Sequence, residues 1–282
     1  MKIDLHLHTT ASDGRLSPEE VVQLAAERGL GVIAITDHDS VEGIAAALEA
    51  ARSCPQLKII PGVEFSSDIP DGEVHILGYF IDYESQELGQ ALRRLRRARR
   101  IRARRMIARL AELGIRVEWE RVKELSAGGS VGRPHIARAI LEQGYISAIQ
   151  EAFNSYIGRQ GPAYVERERL TPAEAVELVV KAGGLPVLAH PAGINNLEEL
   201  LGKLKAAGLV GLEAYYDGYT RQTIDWLVNT ARRHGLITCG GSDFHGFGTG
   251  KETLIGGIDV PSECLEHLIA LAEKSGTKVM AQ

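Results

Sequence analysis

Cysteine is scarce in this sequence, and long apolar runs are missing. The 282 residues include three cysteines, Cys54, Cys239 and Cys264, and none of them has CxxC spacing. An odd, scattered set argues against a disulfide framework and predicts a reducing, cytoplasmic location. No apolar run reaches the ~18 residues that a membrane span requires, and no signal-peptide pattern is present, so no membrane partner is expected.

Several nucleotide-binding and nucleophile motifs are also missing. Neither GxxxxGK[ST] nor GxGxxG occurs, which argues against a nucleotide-dependent kinase and a dinucleotide enzyme. The GxSxG elbow of serine hydrolases is absent as well. The net charge is −5, so the chain as a whole is not expected to bind duplex DNA, and any anion site must be local. Composition does not predict the oligomeric state.

Strand and helix patterns alternate along both ends of the chain. "KIDLHLH" alternates with period two, so that Ile3, Leu5 and Leu7 face away from the histidines. "LSPEEVVQLAAERG" has the capping box and glycine stop of a helix. Repeated strand–helix alternation predicts an α/β fold built on a parallel sheet or barrel.

The middle of the chain interrupts this alternation. Residues 85–157 contain no good strand pattern and predict helices at 85–113, 118–126, 133–143 and 147–157. We therefore expect a barrel domain formed by 1–84 and 166–282, with a helical insertion, or cap, at 85–165.

Most of the histidines, with several acids, fall at the ends of predicted strands. Because the carboxyl ends of barrel strands converge on one face, we expect these side chains to meet there. The candidate metal ligands are His6, His8, Asp13, His38, Glu64, His75, His190, Asp243 and His245.

Imidazole and carboxylate ligands without cysteine favour manganese, with iron or zinc as alternatives. Taken alone, any one of these histidines is more often an ordinary packed or surface residue, but the joint pattern favours a metal site. An HxH pair on a strand places both imidazoles on one face. Nine ligands exceed the needs of one ion and predict two or three divalent metals. Clustered divalent ions favour phosphate-ester hydrolysis by metal-bound hydroxide.

The ordered motifs "DLHLHTTASDG", "ITDHD", "GVEFS", "LAHP" and "GSDFH" resemble the polymerase-and-histidinol-phosphatase (PHP) family of metal-dependent phosphoesterases. The resemblance implies a distorted (β/α)7 barrel of the TIM type with a trinuclear site at its mouth. It assigns the metals to His6, His8, Glu64 and Asp243; to Glu64, His75 and His190; and to Asp13, His38 and His245. The catalytic set it implies is His6, His8, Glu64, Asp243 and His245. Asp37 is interpreted either as a residue that orients an imidazole or as a turn residue.

The segment "GGSVGRPHIARAILEQG" predicts a local anion site in the insertion. Pro134 marks the first turn of a helix, so Arg133 and His135 lie where backbone N–H groups favour an anion. An ordinary cap with a solvated arginine is the alternative. "GRPHIAR" also resembles the PHP subgroup that acts on nucleoside 3',5'-bisphosphates and on the 5' ends of short RNAs. The resemblance extends the substrate-binding set to Arg159 and Tyr164 in "YIGRQGPAYV".

Ten arginines lie between Arg93 and Arg109. Apolar residues recur among them at helical spacing, which predicts an amphipathic helix with a solvated basic face. The alternative is that this face steers a polyanionic substrate toward the site.

The leading hypothesis is an enzyme, a phosphoric ester hydrolase that removes the 3'-phosphate of nucleoside 3',5'-bisphosphates and leaves the 5'-monophosphate. The same geometry permits 5'-3' trimming of short RNA. The alternative within the enzyme class is a histidinol-phosphate phosphatase, which would not require "GRPHIAR". The alternative from another class is a non-catalytic metal-binding PHP module, which lost ligands would mark, and no ligand type is lost.

Overall fold

The structure is a computed structural model, and it describes residues 1–69, 72–167, 170–246 and 253–277. Seven strands form one sheet in sequential order. They are β1 (Lys2–Leu7), β2 (Leu30–Ile35), β3 (Lys58–Ile69), β4 (Gly72–Tyr79), β5 (Leu185–Leu188), β6 (Gly211–Tyr216) and β7 (Ile237–Gly241). A parallel bridge between Leu7 and Phe244 joins the end of β1 to the chain that follows β7. The sheet therefore nearly closes into the expected seven-stranded α/β barrel.

One strand departs from the parallel alternation. β4 is antiparallel to both β3 and β5, whereas the other pairs are parallel. β3 ends at Ile69 and β4 begins at Gly72, a connection too short for the crossover that a parallel pair requires. His75 therefore reaches the mouth of the barrel from the beginning of its strand and pairs with Ser66 of β3.

The helices lie within a few residues of the predicted bounds. They are α1 (Pro18–Glu27), α2 (Ile44–Ala51), α3 (Gln86–Glu112), α4 (Trp119–Leu125), α5 (Arg133–Glu142), α6 (Ile149–Ala152), α7 (Pro172–Lys181), α8 (Leu197–Ala207), α9 (Arg221–His234) and α10 (Ser262–Ser275). A π-helical turn, Phe153–Ile157, continues α6. Within the described ranges no helix is both long and apolar enough to cross a membrane.

Separate hydrophobic clusters support the barrel and the insertion. Leu92 and Leu95 of α3 pack in the barrel cluster, whereas Met106 and Leu110 of the same helix pack with α5 in the insertion cluster. α3 is therefore shared: its first half belongs to the barrel core and its second half to the cap.

The basic face of α3 is not fully solvated, and the sequence prediction is wrong there. Ile101, one of the apolar residues that recur among the arginines at helical spacing, is 44% exposed, whereas Arg99 and Arg102 are buried. Arg102 Nε donates to the backbone oxygen of Val165 at 2.8 Å, and its guanidinium lies over the Tyr164 ring at 5.0 Å. These contacts come from the chain that leaves the insertion, so the helix period alone could not reveal them.

Candidate metal centre

His6 and His8 lie at the end of β1, and both are fully buried. Nε2 of His6 lies 3.4 Å from Glu64 Oε2 and 3.3 Å from Asp243 Oδ1. Nε2 of His8 lies 3.2 and 2.9 Å from the same two oxygens. These separations suit atoms that share one ion through bonds of about 2.1 Å. The period-two pattern thus correctly placed both imidazoles on one face.

Glu64 is the central carboxylate of the mouth. Its Oε1 lies 2.8 Å from His75 Nδ1 and 3.3 Å from His190 Nε2. Its Oε2 lies 2.9 Å from His38 Nδ1, in addition to its contacts with the β1 histidines. The side chain is 1% exposed. Glu64 therefore links histidines from both arms of the barrel, as a carboxylate shared by two ions would.

Asp13 forms a second cluster of candidate ligands with His245 and His38, beside the cluster around Glu64. Asp13 Oδ1 lies 3.4 Å from His245 Nε2, and Asp13 Oδ2 lies 4.0 Å from His38 Nε2. The His8 and His245 rings stack with their centroids 4.1 Å apart. His38 faces both clusters, since its Nε2 faces Asp13 and its Nδ1 contacts Glu64. Its assignment to one metal or the other therefore stays a prediction.

The side chains fit bound metal because their inward atoms are buried without hydrogen bonds. Among the described residues, such atoms at the mouth are His6 Nε2, His8 Nε2, Asp13 Oδ1, His38 Nδ1, Glu64 Oε2 and Asp243 Oδ1. Buried polar atoms without partners are costly, and metal coordination is one way to satisfy them. Their ligand atoms fall into three groups, each within 4.8 Å: His8, Asp13, His38 and His245; His6, His8, Glu64 and Asp243; and His38, Glu64 and His75.

The electrostatics of the mouth are those of carboxylates packed against imidazoles. Burial alone would lower the pKa of His8, but Asp243 and Glu64 outweigh it and raise the pKa to about 10. Burial would raise the pKa of Glu64, but the surrounding histidines hold it well below its usual range. Without metal, His8 therefore retains a proton that bound metal must displace, because metal ligation requires the neutral ring.

Strained backbone accumulates at this mouth. Asp39, His190 and Asp243 all have positive φ angles, of 50°, 28° and 52°. Such conformations cost free energy in non-glycine residues. They persist where surrounding contacts enforce them, and they cluster at functional sites. Gly241 shows how tightly β7 approaches β1: a Cβ there would lie 2.5 Å from the backbone nitrogen of His6.

Within the described part of the chain, the side chain of Asp37 bonds to Thr9 and Ser12 and to no imidazole. Its Oδ1 accepts from the Thr9 backbone N–H at 2.8 Å and from the Ser12 hydroxyl at 2.5 Å, and its Oδ2 accepts from the Thr9 hydroxyl at 2.7 Å. The Ser12 oxygen in turn lies 3.5 Å from His8 Nδ1. Of the two interpretations of Asp37, the structure favours the turn role, because Asp37 fixes the loop that carries Asp13.

Sequence reasoning missed Glu213 and Tyr216 on β6. Glu213 Oε1 lies 3.1 Å from His6 Nδ1, and Glu213 Oε2 accepts the backbone N–H of His190 at 2.8 Å. The Tyr216 hydroxyl donates to Asp243 Oδ2 at 2.8 Å, which leaves Oδ1 for the histidines. An acid flanked by apolar residues in a strand, "GLEAYY", was the one available indication.

Arg99 was missed because it lies within the arginine run. Its Nε donates to Asp39 Oδ2 at 2.6 Å, and its Nη2 donates to Ser66 Oγ at 2.8 Å. A Cβ added at Gly132 would lie 3.8 Å from Arg99 Nη1 and 3.6 Å from Asp13 Oδ2. Gly132 immediately precedes α5, so Arg99, Asp13 and the beginning of α5 border one small space.

Arg133 and His135 occupy the first turn of α5, as predicted. Arg133 Nη2 donates to Glu73 Oε2 at 2.6 Å, and the guanidinium lies over the Phe153 ring at 5.6 Å. His135 is 4% exposed, and its Nδ1 accepts the Gly132 backbone N–H at 2.9 Å. Burial lowers the pKa of His135. A neutral ring with Nδ1 as acceptor carries its proton on Nε2.

Arg159 and Tyr164 lie at different distances from the space that Arg99, Asp13 and the beginning of α5 border. Arg159 contacts the end of β3, where its Nη1 lies 3.7 Å from Asp68 Oδ1 and its Nη2 donates to the Ile69 backbone oxygen at 3.4 Å. The Tyr164 ring lies 6.0 Å from the Arg133 guanidinium, and its buried hydroxyl has no hydrogen-bond partner among the described residues. Tyr164 thus borders the beginning of α5, whereas Arg159 lies at the rim.

A seven-stranded α/β barrel with clustered histidines and carboxylates at its mouth defines a metal-binding barrel protein. The chain belongs to the PHP family: the PHP domain matches residues 4–250. It is 35% identical to a 3',5'-nucleoside bisphosphate phosphatase of Chromobacterium violaceum, over 93% of both chains. It is 35% identical to the 5'-3' exoribonuclease Rnm of Salmonella typhimurium, over 86% of this chain and 84% of that one.

A solved structure shares the fold. It is that of an amidohydrolase from Chromobacterium violaceum, with bound sulfate and no metal; it has a TM-score of 0.86 and 32% identity over 96% of both chains. The resemblance to the PHP family and the expected barrel are both confirmed.

Proposed function

We propose that this protein is a metal-dependent phosphoesterase that removes the 3'-phosphate from nucleoside 3',5'-bisphosphates and leaves the 5'-monophosphate. The observation that carries the proposal is a metal-ligand cluster that borders a second, cationic site at the beginning of α5. The named activities of its relatives support a phosphoric ester hydrolase. All nine predicted ligands lie at the mouth, which argues against a non-catalytic module.

We propose that the cationic site holds a phosphate dianion. The open N–H groups at the beginning of α5 favour an anion, and Arg133 can offer a two-pronged guanidinium. Arg133 now pairs with Glu73, so phosphate would share or displace that contact. Arg99 is held in place by Asp39 and Ser66. We propose that Arg99 joins Arg133 and His135 in anchoring the 5'-phosphate.

His135 supplies a neutral donor to the same anchor. Since its Nδ1 accepts from Gly132, the Nε2–H remains available for a phosphoryl oxygen. Tyr164, whose buried hydroxyl has no hydrogen-bond partner in the described ranges, is proposed to contact the same phosphate or the sugar. Arg159, at the rim, is proposed to contact more distant parts of a substrate. Substrate selection thus falls to the insertion at 85–165.

The mouth would hold the scissile 3'-phosphate. We propose manganese as the ion, in two or three copies, because imidazole and carboxylate ligands suit it. Bound divalent ions would lower the pKa of a water and neutralise the phosphoryl oxygens. Glu64 fixes the spacing between the two arms of the barrel, and Tyr216 directs Asp243 Oδ1 toward the β1 histidines. The burial of His6, His8 and Glu64 excludes bulk water around them.

Short RNA fits the same arrangement, because the scissile phosphate could carry a further nucleotide. We propose that such RNA is trimmed in the 5'-3' direction. A groove of about 490 Å³ beside α3 is lined by Arg94, Arg97, Arg102, Arg105 and Arg167, with Glu166 as the one acid among its described lining residues. In a chain of net charge −5, this local basic surface would attract a polyanion before it docks.

Salt should therefore lower kcat/KM by different amounts for two substrates of the same enzyme. Log kcat/KM for a 5'-phosphorylated RNA pentamer is expected to fall with log salt by about 0.7 per phosphate contact. The slope for adenosine 3',5'-bisphosphate should be shallower. The double variant Arg97→Gln/Arg105→Gln should reduce the slope for the pentamer alone. Equal slopes for both substrates in the unmodified protein would show that the exposed arginines of α3 do not steer the substrate.

One screen tests the proposed function. The Mn²⁺-loaded protein is assayed for phosphate release from adenosine 3',5'-bisphosphate, from histidinol phosphate and from 5'-phosphorylated RNA oligomers. We expect turnover of the bisphosphate and of RNA. Preference for histidinol phosphate would instead support the alternative phosphatase. The three free, buried cysteines support the further proposal that the protein works in the cytoplasm.

A further inference from the structure

Glu213 lies in the middle of β6 and is fully buried. Both of its oxygens are used, and each contacts a different predicted metal ligand. Oε1 lies 3.1 Å from Nδ1 of His6, and Oε2 accepts the backbone N–H of His190 at 2.8 Å. One carboxylate thus joins the end of β1 to His190, two residues after the end of β5.

The contact with His6 determines which ring nitrogen is available for metal. A carboxylate oxygen can only accept, so Nδ1 must carry the proton. In the neutral ring this leaves a lone pair on Nε2, the atom that faces Glu64 Oε2 at 3.4 Å and Asp243 Oδ1 at 3.3 Å. A carboxylate behind a ligating histidine also fixes the orientation of the ring and makes it a stronger ligand.

The contact with His190 acts on the backbone. His190 has φ 28° and ψ 57°, a conformation that costs free energy unless the surroundings enforce it. The hydrogen bond from its N–H to Glu213 is one such constraint. In this conformation Nε2 of His190 lies 3.3 Å from Glu64 Oε1, and its ring stacks on His6 with centroids 5.9 Å apart.

We propose that Glu213 is a positioning residue that sets the metal affinity of the positions served by His6 and His190. The group around Asp13, His38 and His245 has no contact with Glu213 among the described residues and should be unaffected. The inference rests on the metal site of the proposed function. Glu213 thereby acts on two metal positions. It acts on one through the side chain of His6 and on the other through the backbone of His190.

Glutamine at this position separates positioning from simple packing. Glu213→Gln keeps the volume but has one acceptor oxygen and one NH2 donor. Two donors, His6 Nδ1–H and His190 N–H, now compete for one acceptor. If the NH2 faces His6, it forces the proton onto Nε2 and removes the metal-binding lone pair. If it faces His190, two N–H groups oppose each other and the strained backbone is released.

The test is a calorimetric titration of chelator-stripped protein with Mn²⁺. For Glu213→Gln we expect the Mn²⁺ affinity of the metal positions that include His6 and His190 to fall about 10–100-fold. At least one Mn²⁺ ion per chain should bind with unchanged affinity. Glu199→Gln, an exposed glutamate on α8, is the matched control and should titrate like the unmodified protein. The melting temperature of each metal-free protein is measured in parallel. If Glu213→Gln does not fold, Glu213→Asp, whose shorter side chain withdraws both oxygens, carries the same expectation.

Two outcomes overturn the inference. Unchanged Mn²⁺ affinities, with or without a lower melting temperature, would show that Glu213 only stabilises the fold. An equal loss at every equivalent would show that the group around Asp13 is not independent. Failure of the proposed function looks different, because the unmodified, Mn²⁺-loaded protein would then release no phosphate from adenosine 3',5'-bisphosphate, whatever the Mn²⁺ titration of Glu213→Gln shows.

Discussion

Glu64→Gln is expected to lower kcat for phosphate release by on the order of 10³-fold. Glu64 is the one described carboxylate that contacts His6, His8, His38, His75 and His190. Glutamine keeps its size but lacks its charge, and its NH2 faces histidines that also need acceptors. The ions that depend on a shared carboxylate should therefore bind weakly or not at all.

The measurement is kcat with adenosine 3',5'-bisphosphate, together with elemental analysis of the purified protein. The Glu199→Gln protein serves again as the exposed control. We expect Glu64→Gln to lose both activity and metal while its circular dichroism stays unchanged. A fully active Glu64→Gln protein with its full metal content would contradict a shared carboxylate at this position.

Arg133→Ala is expected to raise KM for adenosine 3',5'-bisphosphate by about 10–100-fold, the effect of losing a charge-assisted hydrogen bond. KM for p-nitrophenyl phosphate should change little, since that substrate has no second phosphate to anchor. kcat for the aryl phosphate should also be unchanged. The difference arises because Arg133 lies in the insertion, beside Glu73 and Phe153, and is not one of the metal ligands.

Arg100→Ala is the matched control, because Arg100 is an exposed arginine of α3. It should leave both KM values unchanged. Equal increases in KM for the two substrates in Arg133→Ala would count against an anchor for the 5'-phosphate. They would indicate instead that the loss of Arg133 disturbs the mouth itself.

Much of the metal site could be predicted because strand ends are readable in the sequence. His6 and His8 follow from period two, and residues as distant as Asp243 follow from the convergence of barrel strands. His75 shows the limit of that rule. It reaches the mouth because a two-residue connection reverses β4, so its strand begins where its neighbours end.

Contacts between distant elements could not be predicted. The helix period shows where arginines recur on α3. Arg99 turns inward because its guanidinium donates hydrogen bonds to Asp39 and Ser66 of the barrel. Glu213 was missed for a similar reason. Its partners, His6 and His190, lie on other strands, and a buried acid in a strand does not reveal which donors it will meet.

The most direct test of the central claim is the identity of the product. The Mn²⁺-loaded protein is incubated with adenosine 3',5'-bisphosphate, and the products are followed by ³¹P NMR. Anchoring of the 5'-phosphate at α5 and binding of the 3'-phosphate at the metal cluster predict adenosine 5'-monophosphate and inorganic phosphate. Accumulation of adenosine 3'-monophosphate, or no phosphate release by protein that has bound its Mn²⁺, would contradict the account.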